Sequence, residues 1–382
     1  MPSDYTVACY YFPNYHADVR NEAFHGKGWT EWELVKQARP RFSGHHQPKV
    51  PLWGYTDEAD PAVMAQKIDA AADHSIDAFI FDWYWYDDGP FLERGLEQGF
   101  LKASNNDRLK FSIMWANHDW VDIHPAQYKA TPKLLYPGQV SAVTFETMTD
   151  YIIENYFSHP SYWKIDGCPY FSVYELFRLV ESLGGASATK EALEKFRLKT
   201  QQAGFKDLHI NAVNWGVQIL PNEKQLKDPA EMISYLGFDS TTSYVWVHHC
   251  QFDDFPVTLY EKQTADAIAY WYKAREEFNV PYFPNVTMGW DSTPRTVQSS
   301  PYDNIGYPYM SMLEGNSPER FQKALEAARI FLDETPASKG IFNINCWNEW
   351  TEGSFLEPEE KYGWGYLEAV KEVFKTDSDF NQ

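Results

Sequence analysis

The 382 residues suffice for one large domain or two average ones. A net charge of -21 repels polyanions and argues against a nucleic-acid partner, and no apolar run approaches the roughly 18 to 20 residues that span a bilayer. The 15 Trp, 25 Tyr and 25 Phe are a surplus that suits flat apolar platforms for sugar rings, so an oligosaccharide or polysaccharide is the expected substrate.

The chain opens with Met-Pro-Ser-Asp-Tyr-Thr, which carries neither a basic n-region nor an apolar h-region. That start implies a cytoplasmic protein, or a periplasmic or secreted one whose signal has been removed. A first β-strand is expected at 6–12, followed by a long aromatic segment, 14–55, read as an elaborated loop. Asp60 as N-cap and Pro61 in the first turn predict a helix over 61–74. Strands follow at 78–83, 110–115 and 169–174, mostly the near-continuous apolar runs of parallel strands covered on both faces. A helix at 190–203, ended by Gly204, leads to strands at 209–213 and 240–245. A helix at 262–278 precedes the strand 282–288, and another at 318–334, behind Ser317, precedes the last strand at 340–346. Strands alternating with helices, with neither a low-complexity linker nor an internal repeat, predict an α/β fold. The expectation is a single (β/α)8 (TIM) barrel with elaborated βα loops, one domain over 1–382. Cys9, Cys168, Cys250 and Cys346 show no metal or redox spacing and read as apolar thiols.

Active sites of such barrels lie at the C-terminal ends of the strands, so the residues that follow each strand are the candidates. After the first come Tyr11, Trp29 and Glu31; after the second, Asp82, Trp83 and Trp85; after the third, Asn117 and His118. The fourth, fifth and sixth supply Tyr174, Asn214 and Tyr244, and the seventh Trp290, Asp291 and Arg295. The eighth runs into Trp347, Asn348, Glu349, Trp350 and Glu352. Every strand ends in polar or aromatic side chains, which a barrel that merely held itself together would not require.

Glu349 and Glu352 are the candidate catalytic pair. Breaking a glycosidic bond needs a proton for the departing oxygen and a group that stabilises or traps the developing oxocarbenium ion. Apolar neighbours such as Trp347 and Trp350 raise a carboxyl pKa, whereas donors from Asn348, Arg295 or a tyrosine keep a partner ionised. Arg295 and Asp291 either bind substrate or pair to hold their loop, and Asp82 has the same two readings. Trp29, Trp83, Trp85 and Trp290 serve as sugar platforms or as packing. His118 either bonds a sugar or orients a glutamate. The adjacent pairs His45–His46 and His248–His249 rarely converge on one ion, so neither metal nor cofactor is expected.

These residues also carry a resemblance. WNEWTEG at 347–353 followed by LEP at 356–358 resembles the closing motif of glycoside hydrolase family 99 and of the WbsX-like proteins. YYFP at 10–13, GKGWTEW at 26–32 and GHHQP at 44–48 look like the WbsX-like opening, and IDAF at 76–79, WAN at 115–117 and GWDSTPR at 289–295 continue the match. The chain departs from the pattern after WAN, where His118 and Asp119 stand in place of the usual Glu. The resemblance implies a (β/α)8 barrel and a retaining hydrolase of an α-linked glycan, with mannose-containing material as the first guess. By motif position it implies Glu349 as the base that assists the substrate 2-hydroxyl, through a 1,2-anhydro sugar, and Glu352 as general acid/base. A WbsX-like glycosyltransferase and a non-catalytic carbohydrate-binding barrel are the alternatives.

Overall fold

The computed structural model describes residues 5–375. Residues 1–4 of the opening segment read above lie outside the described residues, as do 376–382 of the expected domain span. Six parallel strands come first: β1 (Thr6–Tyr11), β2 (Ala78–Tyr86), β3 (Lys110–Trp115), β4 (Cys168–Val173), β5 (His209–Val213) and β6 (Ser240–Thr242). Each pairs with the next in sequence order, and parallel crossovers of this kind put the intervening helices on the outside.

The seventh expected strand is split. Its first half, β7 (Tyr282–Phe283), pairs with β6, whereas its second half, β8 (Asn285–Thr287), pairs with β9 (Ile341–Asn345). Pro284 sits at the break, where its missing N–H interrupts the ladder. Because β9 also pairs with β1, the sheet forms the expected barrel, nearly closed, with nine parallel segments standing for eight strands and the two halves of the split strand at its ends.

The helices that cover it include α1 (Pro61–Ala72), α2 (Ala142–Ile152), α3 (Ala186–Gln202), α4 (Pro229–Leu236), α5 (Tyr260–Glu277), α6 (Pro318–Asp333) and α7 (Gly365–Phe374). Asp60 caps α1 as expected, its carboxylate accepting from Ala62 N at 2.8 Å. Ser317 precedes α6, yet its side chain makes no cap bond to the backbone. β2 runs past its expected end to Tyr86 and folds back onto Gly89–Phe91, a turn for which Gly89 takes φ 114°.

The interior is less apolar than the strand sequences suggest. Asn211 accepts from Ser172 Oγ at 2.9 Å and donates to Ser240 Oγ at 2.8 Å, and Asn285 donates to Asn343, which donates to Thr242. All six side chains are buried, so the barrel is tied across by bonded polar groups with few unpaired atoms among them.

Candidate active site

Strand parity sorts the aromatic residues before any site can form. Successive side chains of a strand point to opposite faces. Phe12, Asp82 and Tyr84 therefore line a pocket at the barrel mouth, while their neighbours Tyr11, Trp83 and Trp85 face the helices. Tyr11 packs on Phe79 and Phe81 and donates to Glu58 at 2.9 Å; Trp83 donates to Tyr156 OH at 3.2 Å; Trp85 packs on Tyr151.

Behind β9 the chain forms a tight turn, Trp350–Glu352, ended by Gly353 at φ 66°. A Cβ there would lie 2.6 Å from Asp291 Cβ, so only glycine lets the turn seat against the loop after β8. The turn is anchored from below. Trp347 and Trp350 donate their indole N–H groups to Glu357 at 3.0 and 2.7 Å, and Glu357 pairs with the buried Lys67 of α1 at 2.7 Å. Asn348 clamps Phe12, accepting from its N–H at 2.8 Å and donating to its carbonyl at 2.7 Å.

That anchoring leaves Glu349 and Glu352 facing the same guanidinium. Arg295 Nη2 donates to Glu349 Oε1 at 2.9 Å and Nη1 to Glu352 Oε1 at 2.6 Å. A third carboxylate completes the cluster: Arg295 Nε donates to Glu31 Oε1 at 3.0 Å, and Glu31 also accepts from Thr351 and Asn14. Tyr307 OH donates to Glu352 Oε1 at 2.6 Å.

Three buried carboxylates and one arginine do not balance, and the proton affinities follow. Burial and then the neighbouring carboxylates raise Glu349 well above the usual range, against the pull of Arg295. Burial raises Glu352 as well, against Arg295 and the Tyr307 hydrogen bond. Burial works on Glu31 too, but Arg295, His124 and Thr351 outweigh it and hold the group below its ordinary value. The surroundings therefore favour the ionised form of Glu31 and raise the proton affinity of the Glu349–Glu352 pair.

The pocket encloses about 670 Å³ of empty space, counting its open mouth. Besides Glu349, Glu352 and Arg295 it is lined by Asp82, His118, Tyr174, Tyr244 and Trp290 among the residues expected from sequence. Burial pushes Asp82 well above the carboxylate range; Tyr244 OH donates to its Oδ2 at 2.8 Å, and its Oδ1 has no protein partner. Burial also lowers His118 to about 4, and His124 and His248 to about 3, so all three line the pocket as neutral imidazoles.

The other expected residues stand elsewhere. Trp29 stacks on His25 at 4.3 Å, outside the pocket lining. Asn117 bonds the backbone of Glu175 at 2.7 and 2.8 Å, and Asn214 donates to Tyr270 OH at 2.8 Å. Asp291 lies beside His45, Gln47 and Lys49; burial opposes its charge, but Lys49, His45 and Thr293 hold it below the usual range. Tyr84, Trp120 and His248 stand at the expected strand ends without being singled out as sugar contacts, His248 being weighed for a metal, and His124 and Tyr307 carry no expectation from sequence. Tyr84 could have been found by alternation from Asp82; Tyr307 sits on a loop with no periodic or motif signal.

Solved structures share this fold. One, titled as the family 99 endo-alpha-mannosidase of Bacteroides thetaiotaomicron, superimposes with a TM-score of 0.59 at 14% identity, covering 98% of this chain and 97% of that one. Another, described as a glycoside hydrolase-like protein, gives 0.62 at 16% identity over 98% and 95% of the two chains. At this identity the likeness shows the fold alone, a (β/α)8 barrel. Within that class the chain belongs to the family described as glycosyltransferase WbsX, whose model matches residues 7–370. A curated relative, the uncharacterized protein WxcX of Xanthomonas campestris pv. campestris (strain B100), is 25% identical over 370 residues, which cover 96% of this chain and 49% of WxcX. The chain spans about half the length of the curated relatives it matches.

Proposed function

We propose that this chain is a retaining glycoside hydrolase acting on an α-linked glycan, with mannose-containing oligosaccharides the first substrates to screen. One observation carries the reading: two buried glutamates at a strand end, held by one arginine, line a pocket in the barrel mouth. In the proposed route Glu349 removes the proton of the substrate 2-hydroxyl as that oxygen attacks the anomeric carbon, while Glu352 protonates the leaving oxygen. Water activated by Glu352 then opens the 1,2-anhydro sugar, and the 2-hydroxyl takes back its proton from Glu349. A raised proton affinity suits a base that must act on a weakly acidic hydroxyl. Burial raises Glu349 and Glu352 alike, so proton affinity alone does not assign the roles. We retain the order implied by the motif and make it a test.

The family's description supports a second reading, transfer from a sugar nucleotide. Against it stands the charge of the pocket: Arg295, the cation in its lining, is already engaged by Glu31, Glu349 and Glu352, and Asp119 in the same lining pairs with Arg178. A diphosphate would meet repulsion there. Incubation with defined α-linked oligosaccharides, following product anomers by proton NMR, tests the first reading, and retention is the expected result. Titration calorimetry with sugar nucleotides tests the second; tight, metal-dependent binding without glycan hydrolysis would replace the first reading with it.

A further inference from the structure

We infer that His118 is a specificity-determining residue of this pocket, its Nε2 a fixed hydrogen-bond acceptor for one free hydroxyl of the bound sugar. The inference rests on the reading of the pocket as a glycan site and adds what the site demands of the sugar. His118 lines the pocket just beyond β3, and its Nδ1 lies 3.0 Å from the backbone carbonyl oxygen of Asp119. A carbonyl oxygen only accepts, so Nδ1 carries a proton. Burial lowers the ring to about 4, which keeps it neutral at pH 7, and a neutral imidazole has a single N–H. Nε2 is then a bare lone pair, with no hydrogen-bond partner among the described residues. This excludes one of the two roles open from sequence. A bare nitrogen cannot donate to a carboxylate, so His118 does not orient an ionised glutamate.

The acceptor is also held in place. Asn117, on one side, bonds the backbone of Glu175 at 2.7 and 2.8 Å. On the other side Asp119 accepts from Gly138 N at 2.8 Å and from Asn222 Nδ2 at 3.2 Å. Gly138 seats directly on this backbone: a Cβ there would lie 2.5 Å from the His118 carbonyl carbon. Tyr84 and Tyr174 meet the imidazole edge to face, with centroids at 5.7 and 5.4 Å, and Trp120 lies alongside at 6.4 Å. Turning the ring to exchange its nitrogens would break the bond to Asp119. A preorganised acceptor of this kind discriminates. A hydroxyl donates to it, whereas a fluorine, an ether or an ester oxygen at the same place sets lone pair against lone pair.

Nitrogen-15 NMR of the full chain labelled at histidine reads the tautomer directly, the His118 signals being assigned by their loss in His118→Gln. At pH 7 Nδ1 is expected to be protonated and Nε2 bare; the reverse tautomer overturns the inference. The methyl α-glycosides of D-mannose, D-glucose and D-galactose are then titrated into the wild-type protein. The one that binds most tightly is expected to shift the Nε2 signal toward that of a hydrogen-bonded nitrogen. By calorimetry its affinity should fall about tenfold in His118→Phe, which keeps a ring but no acceptor. His118→Gln, whose Oε1 can accept near the place of Nε2, should keep most of that affinity. One monodeoxyfluoro form of the same glycoside should lose about tenfold in wild type and nothing further in His118→Phe, which identifies the hydroxyl. Near-ultraviolet circular dichroism checks that each variant is folded; if His118→Phe is not, the wild-type Nε2 shift decides. An Nε2 signal unmoved by bound glycoside, an affinity unchanged in a folded His118→Phe, or the lack of any such fluoro form overturns this inference and leaves the glycan reading standing. Binding of none of the three glycosides overturns both.

Discussion

Glu31 Oε1 and Glu349 Oε1 each lie 2.9 Å from the same atom, Arg295 Nη2. One residue comes from the loop after β1 and the other from the turn after β9, so the guanidinium ties the first and last strands of the barrel together at the mouth. The same cation also holds Glu352, and its removal leaves three buried carboxylates facing one another.

Arg295→Met is therefore expected to reduce hydrolysis by about a hundredfold or more and to destabilise the fold by about 3–5 kcal/mol, the scale for stranding buried charge. The loss of stability should grow with pH. Without the arginine the folded-state proton affinities of Glu349 and Glu352, already raised, rise further. A carboxyl raised on folding stabilises in acid, below its unfolded value, and loses that contribution as pH rises through its folded value. Thermal denaturation of the variant from pH 5 to 9 checks the sign: a deficit that shrinks as pH rises would refute the cluster.

The order of roles is testable with a leaving group that needs no proton. If Glu352 is the acid, Glu352→Gln should lose about 10² to 10⁴ in rate on oligosaccharides and recover much of it on an α-glycosyl fluoride. Glu349→Gln should fail on both, because the 2-hydroxyl still requires its base. The opposite pattern would assign the acid to Glu349.

Much of the frame was legible from residue order alone, because each strand announces itself as a short apolar run between helical patterns. The split at Pro284 was visible as a residue, but its consequence was not: which neighbour each half pairs with depends on closure of the whole barrel. In the site, WNEWTEG and GWDSTPR flagged both glutamates and the arginine. What the strand-end motifs leave out is parity. Trp83 and Trp85 lie in the right segment with Asp82, yet the two-residue repeat turns their rings to the helices. Tyr307 and His124 arrive from loops whose paths are set by packing across the mouth, which carries no local signature.

Parity yields a paired prediction. Trp120 lines the pocket, its ring stacked on His124 at 5.3 Å, whereas Trp83 is buried against Tyr156. Trp120→Ala should raise KM with a modest change in melting temperature. Trp83→Ala should lower stability by about 3–5 kcal/mol while protein that remains folded keeps its KM. Steady-state kinetics beside denaturant unfolding separate the two effects, and a higher KM for the Trp83 variant would contradict the outward placement.

A last prediction concerns Glu175 and Glu223, two buried carboxyls behind the pocket wall. Burial raises Glu175 to about 8 and Glu223 to about 7, with Arg178 opposing the first and the Ile219 and Leu220 N–H groups the second. Both folded values exceed the usual range for glutamate, so both groups stabilise the protein in acid, and the contribution is lost between roughly pH 4.5 and 8. Glu223 accepts from Ile219 N and Leu220 N at 2.9 Å each, so it also shapes the pocket wall, whereas Glu175 lies outside the pocket lining and isolates the titration. Glutamine at 175 cannot ionise. Glu175→Gln should therefore gain stability relative to wild type as pH rises from 5 to 8.5, by an amount on the order of a few kcal/mol. Chemical denaturation at the two pH values measures the difference. A gap between the proteins that stays constant with pH would mean that Glu175 is already ionised at pH 5, and that Arg178, not burial, decides its charge.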